Sequence, residues 1–234
     1  MKDLAVIETI LRNRYHFFHE IGEGVGLPQK MRAMLISSVA FLALYGAVMG
    51  STHSLWQALS SAVKLPLLFL ATLIVCSPTL YFFNVLFGSN QSLTQNTALI
   101  LTAITVTAVL LLSFSPIVLF FLLTTSHYQF FKLLTVGVFA AAGTMGVIFL
   151  SQGMRVVSAA GRGGKGDEGA RSRGWVLRLW VLIYGFVGSQ MAWTLRPFIG
   201  APSMKFELFR QLGGNFYANV LVSIAEILGF LVVK

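Results

Sequence analysis

Three ionisable side chains near the N-terminus have a spacing that suits metal binding on a helix. His16, His19 and Glu20 lie at positions i, i+3 and i+4, so neighbouring turns of one helix would bring them together. Both histidines lie on the polar face of the helix that the surrounding pattern predicts. We therefore interpret the group as a solvated helix face, and we predict neither a metal nor any other cofactor.

A glycine-rich basic segment is the next candidate for chemistry. Gly161, Gly163 and Gly164 precede Lys165, but Gly166 follows where a phosphate-binding loop has Ser or Thr, and no strand precedes the segment. We interpret residues 155–173 as a flexible hydrophilic linker. Its basic residues are candidates for contact with anionic lipid headgroups, namely Arg155, Arg162, Lys165, Arg171 and Arg173.

Motifs for hydrolysis do not occur in this sequence. It contains neither a GxSxG nor an HExxH pattern, so we predict that the protein is not an enzyme. Glu226 is the one acidic residue inside a long apolar segment, where a charge is costly unless it is neutralised, paired or hydrated. Glu226 is a candidate for pairing with another side chain in a structural role. The alternative is a role in a proton or ion pathway.

The composition places the chain among membrane proteins. Of its 234 residues, 56% are hydrophobic and only 11% are charged, and the mean hydropathy is +0.78. The net charge of +9 would suit nucleic acid in a soluble protein. Here the basic residues flank apolar segments, so lipid headgroups explain the charge and we predict no nucleic-acid partner. Cys76 is the single cysteine, which excludes a disulfide within the chain.

The apolar segments predict an all-α membrane bundle with five or six transmembrane helices. We expect spans at 31–50, 64–88, 95–124, 130–152, 174–198 and 215–233, with a short interfacial helix at 51–63. Asn219 and Glu226 interrupt the sixth apolar segment, so this segment either crosses the membrane or lies partly at the interface. We predict helix kinks at Pro66, Pro78 and Pro116, with a break at the last of these. Small residues on the fourth span predict close helix contact there.

An amphipathic arm precedes the first span. Residues 3–20 predict one helix lying in the membrane interface, with Leu4, Ile7, Leu11, Tyr15 and Phe18 on its apolar face. The chain then divides into an arm (1–27), spans one to four (28–154), the basic loop (155–173) and the last two spans (174–234). Placing the N-terminus and this loop in the cytoplasm puts most of the 17 basic residues there, as the positive-inside rule requires.

Two stretches carry a resemblance to a known group. The first runs from Lys64 through Cys76-Ser77-Pro78 to Gly88, and the second runs from Trp193-Thr194-Leu195-Arg196-Pro197-Phe198 through Pro202 to Tyr217. Together they resemble bacterial multi-spanning membrane proteins similar to the Yip1 superfamily. The resemblance implies a helical membrane fold in the bacterial inner (cytoplasmic) membrane and no particular activity.

The second stretch predicts a braced turn between the last two spans. Pro197 ends the fifth span, and Arg196 is placed to bond to that helix end or to an acid such as Glu207. Asn215 is placed to cap the sixth span. The candidate structural or interaction residues are Arg196, Pro197, Phe198, Glu207, Arg210, Asn215 and Glu226.

The sequence thus predicts a non-enzymatic structural or assembly subunit in the membrane. Its expected partners are the lipid bilayer and other membrane subunits or a second copy, because no catalytic pattern accompanies the small-residue faces and the amphipathic arm. The alternative is a small channel or transporter that uses Glu226 and the proline-broken spans two and three.

Overall fold

The computed structural model describes residues 2–51, 54–86, 91–125, 128–160, 170–198 and 214–228. Every regular element in these ranges is an α-helix. They are α1 (Lys2–Arg12), α2 (Arg14–Gly22), α3 (Leu27–Gly50), α4 (Leu55–Leu86), α5 (Leu93–Thr124), α6 (Tyr128–Ala160), α7 (Ala170–Leu195) and α8 (Phe216–Ile227).

Four of these helices, α3 to α6, are long and apolar enough to cross a membrane. With 32 residues each, α4 and α5 extend about 48 Å at about 1.5 Å per residue, which exceeds a hydrocarbon core of about 30 Å. In the bundle α3 packs against α4 and α5, and α6 packs against α5. The predicted all-α membrane bundle is confirmed at this level.

Several boundaries differ from the prediction. The expected interfacial helix at 51–63 is wrong, because α4 begins at Leu55 and continues through it, with Ser54 Oγ accepting a hydrogen bond from the Gln57 amide at 3.1 Å. Both ends of the expected basic loop are helical: α6 continues to Ala160, with Val157 buried, and α7 begins at Ala170.

The helices continue through all three prolines. Pro66 and Pro78 lie inside α4 and Pro116 lies inside α5, so the break expected at Pro116 is wrong. Bends of the helix axes at these residues stay predictions.

Glycines set the distance between α3 and α4. A Cβ atom at Gly46 would contact the carbonyl oxygen of Ser61, and one at Gly50 would lie 2.6 Å from the carbonyl oxygen of Gln57. The two glycines are four residues apart, the spacing that lets membrane helices bring their backbones together. The sequence prediction placed this kind of contact on the fourth span instead.

The N-terminal arm is two helices, not one. The backbone turns at Asn13 (φ −131°, ψ 45°), which separates α1 from α2. This turn changes which residues of the arm face the bundle: Phe17, Phe18 and Ile21 are buried, whereas Tyr15, expected on the apolar face, is 70% exposed. Because α1 packs on α3 and α2 packs on α6, the arm lies against the bundle.

Candidate binding cavity

A cavity of about 880 Å³ lies between α6 and α7. One wall is a stripe along one face of α6 from Lys132 to Leu150. The other is α7 from Trp180 onward together with Arg196, which directly follows the helix. Residues of α4 and α5 lie between the walls, since α6 packs on α5 and α7 packs on α4. The α6 stripe covers about 27 Å at about 1.5 Å per residue, close to the thickness of the hydrocarbon core of about 30 Å.

Small residues make this cavity wide. Gly143 of α6 and Gly185 of α7 both line it, and a Cβ atom added at either would meet nothing within 4 Å. The small face of the fourth span was predicted to bring helices together. Gly146 does so, lying against Ala103 of α5, but Gly143 and Ala140 line open space instead. One face of α6 therefore serves two purposes, packing and enclosing a cavity.

Four cavity residues lie near the start of α6, at the end of α7 and on α8, and we call them the polar end: Lys132, Trp193, Arg196 and Asn219. The Trp193 indole Nε1 donates to the Gly214 carbonyl oxygen at 3.2 Å, just before α8, which connects the end of α7 to the helix that carries Asn219. Lys132 Nζ donates to Asn219 Oδ1 at 2.8 Å and to Ser223 Oγ at 2.9 Å, which joins α6 to α8. The Arg196 guanidinium lies 3.4 Å from the centre of the Trp193 ring, a cation–π contact. Two cationic side chains are thus held at the start of α6 and the end of α7.

The turn after α7 is fastened to α4. Gln57 Nε2 donates to the Pro197 carbonyl oxygen at 2.9 Å, and Ser61 Oγ donates to the Phe198 carbonyl oxygen at 2.6 Å. Lys64, buried on the same face of α4, donates to the Pro197 carbonyl oxygen at 3.5 Å. These bonds satisfy carbonyls at a helix end that would otherwise be costly to bury.

Arg196, Pro197 and Phe198, singled out from the sequence, all line the cavity. Their partners on α4 were missed. Gln57, Ser61 and Lys64 lie at i, i+4 and i+7, so a polar stripe along an otherwise apolar helix was the available signal. Glu207 and Arg210 lie outside the described residues.

Glu226 does not line the cavity. Its Oε2 accepts a hydrogen bond of 2.6 Å from Gln129 Nε2, and Ser223 Oγ donates to Gln129 Oε1 at 3.0 Å. The residue therefore belongs to the contact between α8 and α6. Asn215 caps α8 as expected, since its Oδ1 accepts from the Ala218 amide at 2.8 Å.

The remaining candidates lie elsewhere. His16 faces Glu20 at 3.4 Å and His19 faces Glu23 at 3.5 Å, so each histidine pairs with its own carboxylate. Across the described residues, no group of three or more His, Cys, Asp or Glu side chains is placed to hold a metal. Arg155 is exposed near the end of α6. Arg171 and Arg173 lie in α7. Arg162 and Lys165 fall outside the part of the chain that the structure describes.

The fold and the cavity define a helical membrane protein with a long, mostly apolar cavity that ends at two cations. Comparison with protein-family models, with curated proteins and with solved structures finds no match to this chain.

Proposed function

We propose that this is a non-catalytic, multi-spanning membrane protein that holds an amphipathic molecule of the bilayer in the cavity between α6 and α7. The observation that carries the proposal is the cavity itself, about 880 Å³, apolar along most of its length and polar at one end. An apolar molecule seated in such a cavity gains dispersion contacts along the lining. Lipid is the apolar matter that surrounds a membrane bundle, so a lipid-like molecule is the natural occupant.

The membrane topology is part of the proposal. We propose that α7 is a fifth span and that α8 crosses as a sixth span or lies at the interface, with the N-terminus in the cytoplasm. The positive-inside count supports this arrangement. The resemblance to bacterial proteins similar to the Yip1 superfamily supports a location in the bacterial inner membrane.

One observation that favoured assembly with a partner, the amphipathic arm, no longer supports that hypothesis. The arm was expected to dock on a partner, but its apolar residues Phe17, Phe18 and Ile21 contact the bundle of the same chain. Assembly with other subunits or with a second copy stays a prediction. The transporter alternative loses Glu226 as a cavity residue, since that side chain bonds to Gln129.

A pair of matched substitutions tests the proposed function. Gly143→Leu adds a side chain into the cavity from α6, and nothing lies within 4 Å of the added Cβ. Gly137→Leu is its control, because Gly137 also lies on α6 with nothing within 4 Å and does not line the cavity. Both changes raise helix propensity, so neither is expected to unfold the bundle.

The measurement is native mass spectrometry of each variant after extensive washing in mild detergent. We expect the wild-type protein and Gly137→Leu to retain a bound lipid that Gly143→Leu loses. Gly185→Leu should repeat the loss from the opposite wall, since its added Cβ also meets open space. Equal lipid retention in all variants, or none in the wild-type protein, would contradict the proposal.

A further inference from the structure

We infer that the cavity selects a membrane lipid with a net anionic headgroup, seated at the polar end with its acyl chains running along α6 towards Leu150. The inference rests on the proposed function and names the class of molecule that the cavity takes. It also predicts the orientation of the bound lipid in the cavity.

Charge supports the choice of lipid. Among the described residues that line the cavity, Lys132 and Arg196 carry positive charge and none is acidic. A headgroup with net negative charge is attracted to both cations. A zwitterionic headgroup also carries a positive charge, which would lie close to Lys132 and Arg196. Repulsion between these like charges disfavours the zwitterionic lipid.

The two cations are held in position before any ligand arrives. Lys132 is oriented by Asn219 and Ser223, and Arg196 is stacked on Trp193. The planar guanidinium matches the oxygens of a phosphate, and a lysine ammonium adds a compact charge beside it. Ordered side chains lose little further freedom on binding, which favours affinity.

The rest of the cavity suits acyl chains. Beyond the polar end the α6 wall continues through Phe139 and Val147 to Leu150, and Trp180 of α7 lies buried on the opposite wall. Trp180 lies fifteen positions before Leu195, the last residue of α7 and the neighbour of Arg196, or about 22 Å along the helix at about 1.5 Å per residue. Trp180 can therefore report on a chain that reaches far from the headgroup.

Fluorescence quenching by brominated lipids measures the choice of headgroup. Trp56 and Trp175 are exposed, so a Trp56→Phe/Trp175→Phe background leaves emission from Trp180 and Trp193 of the four tryptophans. The protein is reconstituted in phosphatidylcholine bilayers that contain increasing fractions of chain-brominated phosphatidylglycerol or chain-brominated phosphatidylcholine. We expect half-maximal quenching at a lower fraction of the brominated phosphatidylglycerol.

Three variants connect that preference to the polar end. Lys132→Gln should reduce the preference about fivefold, the size expected for one lysine beside an anionic headgroup. Lys132→Arg keeps the charge and should keep the preference. Arg14→Gln removes the same charge from an exposed position at the start of α2 and should leave the preference unchanged.

The outcomes separate the inference from the proposed function. Equal quenching by the two brominated lipids, relieved in a Gly143→Leu protein, would overturn headgroup selection and leave lipid binding in place. Quenching that Gly143→Leu does not relieve would overturn both. A preference that Lys132→Gln and Arg14→Gln reduce equally would overturn the placement of the headgroup at the polar end.

Discussion

Gly46 of α3 lies so close to Ser61 of α4 that a Cβ atom added to the glycine would contact the serine carbonyl oxygen. Ser61 in turn donates its hydroxyl to the Phe198 carbonyl oxygen at 2.6 Å. One helix crossing therefore sets the position of the turn that carries Arg196. The close contact of α3 and α4 and the polar end of the cavity are parts of one structure.

Replacing Gly46 should destabilise the bundle. Gly46→Leu forces α3 away from α4, and overpacking of this kind typically costs about 1–3 kcal/mol. The measurement is the unfolding midpoint of purified protein in mixed detergent micelles. Gly137→Leu, where the added side chain meets open space, is the control and should unfold like the wild-type protein. Equal midpoints for the two variants would show that the α3–α4 contact adapts.

A buried amide pair should contribute to the packing of α4 on α5. Asn84 Nδ2 donates to Asn96 Oδ1 at 3.1 Å, and Asn96 Nδ2 donates to the Ser77 carbonyl oxygen at 3.3 Å. Asn96→Leu should cost about 1 kcal/mol, the range found for hydrogen bonds between membrane helices.

A double-mutant cycle on the unfolding midpoint checks this pair. Adding Asn84→Leu should recover part of the loss, because the first change leaves Asn84 without its acceptor and the second removes that polar group. Thr144→Val is the control, since Thr144 is exposed and its hydroxyl bonds within its own helix. Strictly additive losses would show that the two amides act independently.

Acid should loosen the N-terminal arm. The hydrogen bond from Lys30 Nζ to Glu20 Oε2 (2.8 Å), together with the positive charge of Lys30, lowers the pKa of Glu20 below its ordinary value of 4.5. A lowered folded-state pKa means that this contact stabilises the arm fully above pH 4.5 and is lost as the pH falls through the folded-state pKa.

Spin-label distances between the exposed positions Tyr15 and Arg155, with Cys76 replaced, can follow the arm during acidification. We expect a constant distance near neutral pH and a broader distribution below pH 4.5. Lys30→Met should give the broad distribution at every pH. Arg12→Met, which removes the exposed pair with Glu8, should behave like the wild-type protein. A distance distribution that changes neither with acid nor with Lys30→Met would contradict this role of the contact between Lys30 and Glu20.

We predict that Glu226 attaches α8 to α6 and takes no part in transport. Glu226→Gln keeps an oxygen that can accept the hydrogen bond from Gln129, whereas Glu226→Leu removes it. We expect ion flux into proteoliposomes to be the same for the wild-type protein and Glu226→Gln, and protease protection of α8 to fall only in Glu226→Leu. A flux that Glu226→Gln abolishes would instead favour the transporter alternative.

The class of the protein could be predicted from sequence because the signal is local. Long apolar segments with few charges must be helical in hydrocarbon, where each backbone group needs a partner within its own segment. Residues 95–124 differ from α5 by only two positions at the start. The Asn215 cap was predictable for the same reason, since it depends on residues three positions apart.

The N-terminal arm shows the limit of prediction from local sequence patterns. Apolar spacing over residues 3–20 predicted one continuous face, but the turn at Asn13 gives α2 a different face from α1. Tyr15 is exposed, and Phe17 is buried. The buried face of α2 was selected by contact with α6, which lies far away in the chain.

By itself, the sequence determined a helical membrane protein, the approximate position of its long helices and its lack of a recognisable catalytic pattern. Only the tertiary structure decided that the small face of α6 encloses a cavity, that Glu226 bonds to Gln129 and that Gln57 holds the turn at Pro197. The physical reason is separation along the chain. Gln57 and Pro197 are 140 positions apart, and such contacts depend on how whole helices pack, which no local pattern records.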